Sequence, residues 1–113
     1  MNLIEQIALA DQFEFVNNHT WRAPYYRLKS DVERDSIGDI MVEPFGGRYV
    51  VARIQEFHYP AHVSDFTGAP IAASSDIQNH YFDKSFSHNQ LVKAFEYALK
   101  MSATPITTTT IEV

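Results

Sequence analysis

Asp39-Ile40-Met41-Val42-Glu43-Pro44-Phe45-Gly46-Gly47-Arg48 runs into Tyr49-Val50-Val51-Ala52-Arg53-Ile54-Gln55-Glu56-Phe57, and this stretch decides the fold. Two β-prone runs flank a break made of Pro44, Gly46 and Gly47, which is a hairpin signature. Glycine takes positive φ without a Cβ clash, so the chain is expected to reverse at 46–47. In the second run, alternation separates Val50, Ala52 and Ile54 from Tyr49, Val51, Arg53, Gln55 and Phe57. The first set reads as the core side. The second mixes aromatic, aliphatic and long polar groups, and reads as an open face that contacts something.

On the N-terminal side, Leu3, Ile4, Ile7 and Ala8 fall on one face at helical spacing. Asn2 followed by Glu5 resembles a capping box. The expectation is a helix to about Val16, with a strand pairing Phe13 and Phe15 on one face as the alternative. Asn17-Asn18-His19-Thr20 is a turn-prone connector, and Trp21 to Lys29 reads as a first strand near a sheet edge because of Pro24. Residues 30–38 are polar and read as a loop. Asp31, Glu33 and Asp35 alternate like the start of a calcium loop, but Ser36 stands where glycine is needed and Val42 where a bidentate glutamate is needed. A solvated acidic loop is the better reading.

On the C-terminal side, residues 58–76 show no periodicity and carry Pro60, Gly68 and Pro70. A structureless stretch of that length is unusual in a compact domain, and points to a functional loop or a hidden short element. Ile77 to Phe82 reads as a short strand. Ser87 to Ser102 is the clearest helix, opened by a Ser87/Gln90 capping box. Leu91, Val92, Phe95, Ala98, Leu99 and Ser102 form one stripe, with Lys93, Glu96 and Lys100 opposite. Pro105 ends it, and the β-branched run from Ile106 reads as a last strand. The sum is one α+β domain over residues 1–113. It is a two-layer sandwich, with a mostly antiparallel sheet of 4–5 strands packed against an N-terminal and a C-terminal helix.

Composition narrows the function classes. The chain has 113 residues, a formal net charge of −5, no cysteine, and fifteen aromatic residues. Acidity argues against nucleic-acid binding, which rests on Lys and Arg against phosphate. Without cysteine there is no disulfide or thiolate metal site. The N-terminus lacks the pattern of a signal peptide, and no apolar run reaches membrane-spanning length, so the expected location is the cytoplasm. Phosphate-loop, zincin and nucleophile-elbow motifs are missing. No metal and no cofactor is expected.

Two functional readings compete. The first is a non-enzymatic interaction module that self-associates, as a homodimer, through an aromatic- and arginine-rich sheet face. Trp21, Tyr25, Arg27, Tyr49, Val51, Arg53 and Phe57 would form that face, because such residues dominate binding hot spots. A protein partner or a small apolar ligand is the looser form of this reading. The second is a small-ligand pocket or small enzyme on the 58–76 loop, using His58, His62 and Asp65 as acid, base or ligating groups. His80 is a further candidate to approach that loop.

Overall fold

The computed structural model describes residues 1–17, 23–29, 37–106 and 109–111. Helix α1 spans Leu3–Ala10, and Asn2 Oδ1 accepts the Glu5 backbone N–H at 2.8 Å, the N-cap bond expected of this sequence. The helix ends six residues earlier than expected. Asp11 closes it, and Phe13–Val16 is a strand, β1. Phe13 there stacks on Phe95 of the C-terminal helix with ring centroids 4.4 Å apart, and Phe15, two residues on, meets Tyr26 at 5.0 Å. Only an extended chain puts residues two apart on the same side.

Strands β2 (Tyr25–Leu28), β3 (Ile40–Phe45) and β4 (Arg48–Tyr59) follow. Gly46 and Gly47 form the β3–β4 turn with φ of 57° and 77°, the pair of positive values that matches strand twist. Two-residue strands β5 (His62–Val63) and β6 (Pro70–Ile71) pair with each other, and β7 (Ser74–Ser87) returns alongside β4. Helix α2 spans Leu91–Ser102, and β8 is Thr109–Thr110. The sheet order is β1-β2-β3-β4-β7, all antiparallel, with β8 parallel to β4 at Phe57 and His58. The expected α+β architecture of five antiparallel strands and two terminal helices is therefore present.

Both faces of β4 are covered at its centre, which corrects the expectation of an open face. Val51 lies with Leu9, Phe13, Ile40, Val42, Ala94, Phe95 and Ala98 in the core between sheet and helices. Ala52 and Ile54 belong to a second buried cluster with Val16, Tyr25 and Met41 on the opposite face. From Val51 to Gln55 no residue exceeds 6% exposure. Alternation correctly separates the two sets, but the set read as open is the one that α2 covers. The α1 stripe is the converse error: Leu3, Ile4 and Ile7 are exposed, and Leu9 alone in that helix is buried.

Helix α2 starts three residues later than its capping box implies. Ser87 still belongs to β7, and its N–H donates to Gln90 Oε1 at 3.4 Å while its hydroxyl turns to Asn89. Half of the capping box forms, without the helical turn it was expected to open.

The molecule measures 60 × 28 × 25 Å, with a radius of gyration of 17.1 Å. A compact chain of this length would have a radius near ~13 Å. The excess comes from the β4–β7 pair, which continues past the end of β3. Twelve strand residues of β4 span about 40 Å at the usual rise. Residues 60–73 then cap the pair as a tip. The stretch read as an aperiodic loop is thus the distal end of an arm.

Candidate functional site

Four of the seven residues expected to form a contact face are buried in the protein itself: Tyr25 at 1%, Arg27 at 5%, Val51 at 0% and Arg53 at 4% exposure. Tyr49 is half-buried against the core on the α2 side of β4, and Phe57 is half-buried farther along the strand with its ring 6.4 Å from His80. Trp21, like the acidic loop at 31–36, lies outside the described residues.

The two arginines are held in different ways. Arg27 makes a bidentate pair with Asp39, Nε to Oδ2 and Nη2 to Oδ1, both at 3.0 Å, and reaches Glu14 at 3.4 Å. These bonds hold its guanidinium more firmly protonated than usual, outweighing the opposing effect of burial. Arg53 is bound mostly to carbonyl oxygens at the C-terminal end of α2. Nη1 donates to Met101 O and Thr104 O, Nη2 donates to Pro105 O, and Gln55 accepts from Nε and Nη2 at 3.0 and 2.8 Å. Burial lowers its pKa, and the negative pole of the helix is what favours a cation there. Both side chains are therefore ties between elements, which is why they are inside.

The histidine reading resolves into separate places. His62 and Asp65 share the arm tip, where a cavity of about 520 Å³ is lined by His62, Val63, Ser64, Asp65, Phe66 and Ile71. His62 Nδ1 donates to Pro60 O at 3.1 Å. His58 sits back on β4, with Nδ1 3.4 Å from Ser75 Oγ. His80 packs edge-on against Phe82 at 5.2 Å, near the helix layer. Among the described residues, no group of three or more His, Asp or Glu side chains converges as a metal site.

The tip is a hydrogen-bonded turn. Ser64 Oγ accepts from the Phe66 and Thr67 amides at 3.2 and 3.3 Å, and the Gly68 amide donates to Ser64 O at 2.9 Å. Gly68 adopts φ 69°, which only glycine takes readily, and the chain closes back onto β6. This turn holds Phe66 outward at 99% exposure, flanked by Val63 at 61% and Ile71 at 43%. Phe66 escapes sequence reasoning because a lone Phe in a Pro/Gly-rich stretch has no periodicity to place it.

At the other end lies a groove between β7 and α2. It has a volume of about 310 Å³ and is lined by Lys84, Phe86, Lys93, Glu96, Tyr97 and Lys100. Phe86 and Tyr97 are half-buried and 5.7 Å apart, and Lys84 Nζ lies 5.3 Å from the Tyr97 ring. A β-bulge builds this rim. Val50 pairs with Ser85 but Ala52 with Tyr81, so Phe82, Asp83 and Lys84 stand opposite Val51 alone. Lys93 and Lys100 are seven residues apart, two helical turns, and share a face. That spacing was legible in the sequence; Lys84 joining them was not.

On the opposite sheet face, Phe45, Val50 and Tyr81 line an apolar concavity of about 360 Å³, and the Tyr81 hydroxyl donates to Glu43 Oε2 at 3.2 Å. No helix among the described residues is long and apolar enough to cross a membrane. No family model, no curated protein and no solved structure matches this chain.

Proposed function

We propose that this chain is a non-enzymatic interaction module that self-associates through the tip of the β4–β7 arm. The observation that carries the reading is Phe66, an aromatic side chain 99% exposed on a hydrogen-bonded turn at the end of that arm. A phenyl ring left in water gains nothing for the isolated fold, whereas a ring of that size buried at an interface is a common energetic anchor. Extended arms also place contacts beyond the reach of the body that carries them.

A second protein copy suits the tip better than a lipid surface. From Ile54 to Phe82 the chain has Glu56, Asp65 and Asp76 but no Lys or Arg. Anionic headgroups repel such a segment. Action in the cytoplasm belongs to this same proposal.

The test is sedimentation or light scattering across micromolar concentrations. The wild-type chain is expected to form dimers or larger assemblies, and Phe66→Ser is expected to weaken association at least thirtyfold, the size of a hot-spot loss. A wild-type chain that stays monomeric, or a Phe66→Ser chain that associates as well as wild type, overturns the reading.

A further inference from the structure

The arm tip ends in an acidic residue next to an aromatic one, Asp65-Phe66, both exposed. The β7–α2 groove offers the complement: a floor of Phe86 and Tyr97 and a rim of Lys84, Lys93 and Lys100. The chain has four lysines, Lys29, Lys84, Lys93 and Lys100, and three of them line this one groove. Against them stands a single carboxylate, Glu96, so the groove is locally cationic on a protein of net charge −5. The arm from Glu56 to Gln78 carries three carboxylates and no Lys or Arg. Charge is thus separated along the long axis, negative toward the tip and positive at the groove.

Resting on the reading of the tip as a contact, we infer that the β7–α2 groove is the socket for the Asp65-Phe66 knob of a second copy of this chain. Phe66 would lie on the Phe86 and Tyr97 rings, and Asp65 would meet the lysine rim. The tip cannot reach the groove of its own chain. Along β4, eight residue steps separate Tyr59, opposite Ser74, from Val51, opposite the bulge that holds Lys84, about 26 Å of ladder, and the tip projects from the far end. A stiff two-stranded ladder does not fold back over that distance, so the contact is between molecules. Knob and socket sit on different surfaces, so the contact is heterologous. It either builds a chain of copies or closes when two copies lie antiparallel with both contacts made.

Charge inversion tests the pairing, with assembly read by sedimentation and folding by circular dichroism. Asp65→Lys and the double change Lys93→Glu/Lys100→Glu are each expected to weaken association about tenfold. Combining all three changes in one chain is expected to restore it. Wild-type association is expected to weaken as salt is raised, since exposed charges are screened. If Phe66→Ser abolishes association while Lys93→Glu/Lys100→Glu leaves it intact, the tip is the contact and the socket lies elsewhere, which overturns this inference alone. Failure of the triple variant to outperform either parent overturns it too. A monomeric wild-type chain overturns both this inference and the reading beneath it, and would leave the groove to an unrelated anionic ligand.

Discussion

Strand β4 belongs to two different environments along one continuous ladder. Between Val51 and Gln55 it is sealed on both faces, at 0–6% exposure. Farther along, its partner β7 is exposed at every residue from Ser74 to Gln78. From Ala52 to Tyr59 the antiparallel pairing with β7 runs without a register shift. What changes is the cover: α2 and strands β1–β3 lie against the first half, and the second half, flanked by β7 and by the two-residue strand β8, leaves the body as an arm. Backbone pairing therefore makes the strand, while burial decides what its side chains can do. In the body they are ties and filling; on the arm they are available to another molecule.

If that division holds, the largest effects of substitution fall in the body. Arg27→Ala removes both guanidinium bonds to Asp39, a residue only 2% exposed. Breaking one side of a buried ion pair leaves a charge in a medium that solvates it poorly. The expected loss is about 3–5 kcal/mol in chemical denaturation at neutral pH, a large part of the ~5–15 kcal/mol that holds a typical domain together. A change within ~0.5 kcal/mol would mean that Arg27 behaves as a surface residue, and the contrast between body and arm would fail at its strongest point.

Arg53→Met sharpens the same contrast with a smaller effect. Its stem packs similarly, but Thr104 O and Pro105 O lose the guanidinium donor, Met101 O keeps only the Thr104 N–H and hydroxyl, and the α2 C-terminus loses its buried cation. Among the described residues Arg53 pairs with no carboxylate, so the loss should be below that of Arg27→Ala, at about 2–3 kcal/mol. Hydrogen exchange should show the last turn of α2 opening more readily than the β3–β4 ladder. Equal loosening of both would mean that Arg53 supports the whole core rather than one helix end.

The fold was largely legible because it rests on local signals. Gly46-Gly47 between β-prone runs gives the hairpin, and the Leu91–Leu99 stripe gives α2. The site was not legible, for two physical reasons. Alternation in 49–57 separates two faces but carries no information on which neighbour covers each, so on sequence alone Val51 and Arg53 fall on the wrong side of the solvent boundary. The 58–76 stretch hides the arm because its strand ends are serine-rich and polar, as exposed strands are, and periodicity methods recognise strands by a buried face. Lys84 meets Lys93 and Lys100 only after β7 bulges, a tertiary event no window of sequence reports.

The smallest expected effect is the most informative about the arm. Phe66→Ser should leave the stability of the monomer within ~0.5 kcal/mol of wild type, measured at concentrations too low for association. Its ring has no apolar neighbour to lose, since 99% of its surface already faces water. The turn survives the change because its bonds run through the Ser64 hydroxyl and backbone amides, none of which uses the Phe66 side chain. A loss of several kcal/mol would place Phe66 in a packed core and make the tip part of the body. A loss near zero together with lost assembly means the ring is retained for what it meets outside its own chain, which separates a contact residue from a structural one.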